Sequence, residues 1–212
     1  MSGNQFRIAI LAALAVLTVS AVAQDEKNEL AAMVGRTFVS DVGIQCGGCI
    51  NPLIENGKGL TLEGDYSRFF RRSQLYAISG EVPFAFNFDQ DLNSGENVVP
   101  SGYKSLFVTP AARVNIFPDT AFSPWVSLGG GIGRFMQDKS LVYGGTNPGK
   151  NTLSGVLEAG VGLDVRIWRH YSLRGEARDF WSGFPSYPLA TTTTSKSRQH
   201  NYFVGAGIVW HF

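Results

Sequence analysis

The stretch Asn201-Tyr202-Phe203-Val204-Gly205-Ala206-Gly207-Ile208-Val209-Trp210-His211-Phe212, at the end of the sequence, decides how the chain is read. Every second residue counted back from Phe212 (Trp210, Ile208, Ala206, Val204, Tyr202) is apolar or aromatic. The other parity, His211, Val209, Gly207, Gly205, Phe203 and Asn201, is small, mixed or polar. This is the period-2 pattern of a strand with one greasy face, closed by aromatics at both ends. A soluble domain rarely leaves a terminal Phe exposed on a strand, whereas a strand facing lipid between two aromatic belts has a reason to.

The other end of the sequence gives the compartment. Arg7 is the only charge before Asp25, and it precedes an apolar run over 8–23 broken only by Thr18 and Ser20. The run ends Ala21-Val22-Ala23 before Gln24, an A-x-A-like exit. At about 16 residues it is shorter than the ~20 needed to span a bilayer. Residues 1–23 are expected to be a cleaved secretory signal peptide, and 24–212 the mature domain. Of 18 Lys and Arg, only Arg7 falls in the leader, which leaves the mature chain balanced against its 17 Asp and Glu. A net charge of zero argues against a nucleic-acid partner and gives no pull toward anionic surfaces. No later run of about 18 apolar residues exists, so a membrane would be crossed with strands.

Eight strand-like stretches follow, over 29–38, 59–70, 74–86, 104–117, 122–135, 152–168, 171–181 and 201–212. Most have the length a tilted strand needs to cross the hydrocarbon. Their connections alternate, long at 40–58, 87–103, 137–151 and 182–200, short at 71–73, 118–121 and 169–170. Short turns at one end and long loops at the other are the asymmetry of an up-and-down outer-membrane barrel. The predicted fold is all-β, an eight-stranded antiparallel transmembrane barrel.

The faces separate by parity. Leu157, Ala159, Val161, Leu163, Val165 and Ile167 alternate with Glu158, Gly160, Gly162, Asp164, Arg166 and Trp168. The polar parity of the set carries Glu63, Asp65, Glu81, Arg113, Glu158, Asp164, Arg166, Arg174, Glu176 and Arg178, which would pair across a narrow lumen. Strand one is ambiguous, because Arg36 shares the parity of Leu30, Ala32, Val34 and Phe38. Large aromatics end the greasy face. Phe70, Phe117, Phe122, Trp168, Tyr171, Trp210 and Phe212 lie at the short-turn ends; Tyr103, Phe84, Phe86, Phe135, Trp181 and Tyr202 lie at the long-loop ends. Two aromatic belts around plain aliphatics match a bilayer with two interfaces. Pro83 and Pro110 interrupt two strands, and a closed barrel has no edge to hide a missing donor, so bulges near the outer rim are expected there.

Taken together, the chain resembles the small outer-membrane barrels of the OmpA/OmpX type. The residues that carry the resemblance are the Gly-rich strand 125–133, the strands 159–166 and 173–178, and the closing strand. The resemblance implies a Gram-negative outer-membrane location and lipid as partner. It also implies that Phe212, with Trp210 beside it, is the recognition signal for the barrel-assembly machinery. It fixes location better than activity, because the family is functionally diverse.

Candidate chemistry is thin. Cys46-Gly47-Gly48-Cys49 lacks the βαβ setting of a redox dithiol and the further ligands of a zinc site. In an exported protein it reads as a disulfide pinching an outer loop. His170, His200 and His211 show no Ser and acid spaced for a triad, so they read as interfacial or solvated side chains, and no catalytic residue is expected. No cofactor or metal is implied. The charged set reads as a rigidifying interior, since eight strands leave room only for side chains. A narrow ion path, using the space at Gly129, Gly131, Gly160, Gly162, Gly205 and Gly207, is the alternative. Others are a soluble exported barrel with an apolar interior and a lipid A-modifying enzyme. The expected role is structural or surface interaction, such as adhesion or envelope integrity, with an unspecified ligand at the long loops.

Overall fold

The computed structural model describes residues 26–45, 53–187, 193–194 and 198–212. Residues 1–23, expected to be a signal peptide, and the Cys46–Cys49 pair lie outside the described residues. The strands are β1 Asn28–Val39, β2 Val42–Gln45, β3 Leu53–Asn56, β4 Lys58–Arg72, β5 Tyr76–Ser94 and β6 Gly102–Val108. They continue with β7 Ala111–Ile116, β8 Phe122–Gln137, β9 Thr152–Trp168, β10 Tyr171–Ser182, β11 Thr193–Thr194 and β12 Gln199–His211.

Eight staves close into an antiparallel ring. β1 pairs with β4 and β12, β12 with β10, β10 with β9, and β9 with β8. β8 pairs with both β6 and β7, which form one stave, and β5 closes the ring between that stave and β4. Closure removes the sheet edge, which is what lets strands stand in lipid without unpaired backbone. Phe212 completes the seam with Asn28, each backbone N–H donating to the other's carbonyl at 2.9 Å.

The outer wall is apolar. Leu128 is 70 % exposed, Val161 55 % and Ile208 52 %, and Phe70, Phe117, Phe122, Trp168, Tyr171 and Phe212 are exposed at the short-turn end. A large exposed apolar band over a charged interior is the reverse of a soluble barrel. Arg36 does point outward with Leu30, Val34 and Phe38; it sits toward the long-loop end and donates to the Lys58 carbonyl at 3.2 Å. A long stem in the wall with its head carried to the interface is how such a residue is tolerated.

Three local expectations are corrected. First, β5 runs on to Ser94, past the predicted end at 86, where β3 pairs with it. The hairpin therefore rises above the wall, and its register slips against β6 between Asn87 and Gln90. Second, Pro83 and Pro110 are neither at the rim nor at bulges. Pro83 stands opposite Asp65 in mid-wall, and Pro110 lies across the seam in the break between β6 and β7. The pairs Phe84–Val108 and Glu81–Ala111 keep one register through the break. The two missing donors thus meet in one place, where the carbonyls of Pro83 and Pro110 still accept from Thr109 and Gly130. Gly131 is required beside this break, because a Cβ there would overlap the Val108 carbonyl. Third, Tyr103 and Phe135 are buried inside rather than in an outer belt. Their parity is that of Ser105 and Phe107, and of Gly133.

Candidate functional site

The interior is built in two tiers. Toward the short-turn end it is charged, and three guanidinium groups organise it. Arg178 Nε lies 3.1 Å from Glu63 Oε1 and 3.0 Å from Glu176 Oε1, and its Nη1 lies 2.7 Å from Glu81 Oε1 and 2.9 Å from Glu158 Oε1. Arg174 grips Asp164 with two bonds, Nε–Oδ1 at 2.7 Å and Nη2–Oδ2 at 2.9 Å, and reaches Asp65 at 3.2 Å. Arg113 pairs with Glu29 and lies 3.3 Å from Glu81 Oε2. None of the three is more than 1 % exposed. The planar fork with five donors is what lets a single Arg serve several carboxylates at once.

Trp125 is the hub of this tier. Its ring lies 5.6, 5.2 and 5.1 Å from the guanidinium carbons of Arg113, Arg174 and Arg178, and its Nε1 donates to Asp164 at 3.3 Å. The ring also occupies the space over Gly162, while Phe203 fills that over Gly35 and Gly205. Of the glycine space that suggested an ion path, that at Gly160, Gly162 and Gly205 is filled by neighbouring side chains, and Gly131 and Gly207 lie against backbone.

Toward the long-loop end an aromatic cluster sits among buried uncharged polar side chains such as Gln90, Gln199 and Asn201. Phe107 stacks on Phe180 at 4.8 Å, Phe135 meets Phe107 edge-on at 5.8 Å, and Tyr103 meets Phe135 at 5.7 Å. Tyr187, from the loop after β10, packs against the same cluster. Burial, with the neighbouring Tyr103 phenol, pushes the Tyr187 phenol well above its usual range, so it stays neutral.

Of the ten charged residues singled out from the sequence, nine meet in the central cluster. Arg166 does not; it is at the short-turn mouth, held to Glu26 at 2.8 Å and partly exposed. Sequence reading missed Glu29, which is buried and shared between Arg113 and Arg174. Its parity, opposite to Leu30 and Ala32, was the available signal.

One of the three histidines, His211, differs from expectation. His200 is interfacial on the outer face, stacked between Trp181 and Tyr202, with Nδ1 2.7 Å from Asp179 Oδ2. His170 is partly exposed, 3.8 Å from Glu26. His211 is neither interfacial nor solvated. It is buried at the mouth, its Nε2 2.8 Å from Ser172 Oγ and its Nδ1 3.2 Å from Glu29 Oε1. A Ser–His–acid line that spacing along the chain rejected is therefore assembled by barrel closure. It borders a small polar hollow that Arg72, Arg166 and Ser123 also line. Among the described residues no group of His, Cys, Asp and Glu is arranged to hold a metal ion.

Two solved structures share this architecture. The outer membrane protein OprG from Pseudomonas aeruginosa superposes with a TM-score of 0.55 at 12 % identity, covering 88 % of this chain and 97 % of that one. Neisserial surface protein A gives 0.51 at 13 % identity, covering 89 % and 98 %. The chain has the fold of the small eight-stranded outer-membrane β-barrels. No protein-family profile matches it, and no curated protein does. The apolar wall and charged interior agree with that fold and put the barrel in the outer membrane of a Gram-negative envelope. In that orientation the short turns and both ends of the ring face the periplasm, and the β5 extension faces outward. The soluble ligand-binding alternative falls, because the apolar face is the outer one and the charges are inside.

Proposed function

We propose that the barrel is a structural and surface-interaction element of the envelope, with its outer end as the interacting part. The observation that carries this reading is the closed interior. The ion-paired tier and the aromatic tier fill the lumen in series, so the outer edifice of β3 and the β5 extension is the surface left to meet a partner. We also propose that Trp210 and Phe212, whose rings stack at 4.6 Å beside the β1–β12 seam, serve as the assembly signal, and that Cys46 and Cys49 form a disulfide in the outer loop.

Recording across a planar bilayer tests the closed interior. The purified barrel should show no steady unit conductance at neutral pH. A steady conductance abolished by Arg174→Ala or Glu158→Ala would replace this reading with a narrow ion pore.

A further inference from the structure

We propose that the periplasmic rim binds the phosphate of an anionic phospholipid, through a cationic patch on the outer face of β4 near its short-turn end. This goes beyond the envelope role, which the other end of the barrel carries, and rests only on the barrel's place in the outer membrane.

The fold separates charges that nearly cancel along the chain. The buried interior holds seven carboxylates against three guanidinium groups. A chain with 18 cations and 17 acids must therefore carry its surplus cations outside the lumen. They are not spread evenly. Among the described residues the long-loop end has as many acids as cations outside the lumen. At the short-turn end Lys27, Arg68, Arg71, Arg72, Arg166 and Arg169 stand with only Glu26 and Asp119 as acids outside the lumen among the described residues. Those two acids are taken up at the mouth, Asp119 by Arg72 at 2.9 Å and Glu26 by Arg166 at 2.8 Å. Lys27, Arg68, Arg71 and Arg169 are exposed, with no acid in ion-pair reach among the described residues.

Arg68 and Arg71 carry the site. Arg68 is on the lipid-facing parity of β4, between Tyr66 and Phe70, both exposed. Across the ladder stands Gly80, which has no side chain to cover it, and the Phe70 ring lies over that glycine. On the β1 side Tyr66 donates its hydroxyl to Asn28 Oδ1 at 3.0 Å. The Arg71 guanidinium lies over the Tyr76 ring, 5.8 Å from its centre. Lys27 joins the same edge, where its carbonyl accepts from the Phe69 N–H at 2.8 Å.

A guanidinium on a wall that faces hydrocarbon is costly unless its head meets an anion at the interface. Its planar fork matches the oxygens of a phosphate diester, and the aromatic collar sets the height of the headgroups. Because Tyr66 and Phe70 face acyl chains on either side of Arg68, the anion at this depth of the wall is a lipid phosphate.

The test is native mass spectrometry of the purified full-length barrel, released from micelles that hold equal amounts of phosphatidylglycerol and phosphatidylcholine. Each cation near an anionic headgroup contributes about fivefold, so phosphatidylglycerol should be retained about 10-fold or more over phosphatidylcholine. The double variant Arg68→Gln, Arg71→Gln should lose most of that preference. Lys139→Gln with Lys150→Gln, the same change of charge at the long-loop end, should keep it. Heat-modifiable gel migration confirms that each variant is folded. Equal retention of the two lipids by the parent would overturn the site, as would a preference that survives in the Arg68, Arg71 variant or is lost equally in the long-loop one. Soluble peptidoglycan fragments, whose carboxylates are the other anions on this side, should leave phosphatidylglycerol bound. Its displacement by them would assign the patch to the cell wall instead.

Discussion

Arg178→Ala should lower the stability of the folded barrel by about 3–5 kcal/mol, a large share of what holds a domain of this size. The side chain lies within ion-pair reach of Glu63, Glu81, Glu158 and Glu176, all buried. Truncation leaves those buried carboxylates facing one another without the guanidinium between them. Breaking a buried pair costs more than the pair contributes, because the abandoned charges keep their desolvation penalty. Arg166→Ala removes one partly exposed pair at the mouth, and should cost under about 1 kcal/mol. Urea unfolding in detergent micelles, followed by tryptophan fluorescence, measures both. Equal, small losses would mean that the interior is wetter and less dependent on Arg178 than its burial says.

Val161→Arg is the matching prediction for the wall. Val161 is 55 % exposed on β9, between Val126 and Ala177 on the flanking strands, so its exposure is to hydrocarbon. A charge at the bilayer midplane on such a face costs about 2–4 kcal/mol, far more than the same exchange on a soluble surface. Refolding into lipid vesicles should reveal the loss. A variant as stable as the parent in vesicles would remove Val161 from the lipid-facing band.

The ring, its alternation and the sorting of turns were legible because each is local. Leu157 to Ile167 declare a face by period 2, and three short turns declare an end. The failures were non-local or vertical. Period 2 separates inside from outside but says nothing of height, so Tyr103 and Phe135 were read as belt residues when they fill the upper lumen. Taken one at a time, Pro83 and Pro110 read as rim bulges. The register brings them together in mid-wall, where one break serves both. The mouth was invisible in the sequence for a similar reason. Glu29 and His211 are 182 positions apart along the chain, and only the closing seam, which pairs them directly, makes them neighbours. Arg166 shows the reverse error, since correct parity placed it inside but not with the cluster.

The central claim is an inverted barrel, with Trp125 at the heart of a buried charged interior and the aliphatic band in lipid. Fluorescence in vesicles whose acyl chains carry bromine tests it most directly. One variant keeps only Trp125, with Trp168, Trp181 and Trp210 changed to Phe; a second also changes Trp125 to Phe and adds L128W. The account predicts that bromine leaves the Trp125 emission unchanged and strongly quenches the indole introduced at position 128. Quenching of Trp125 with the position-128 emission untouched would contradict it.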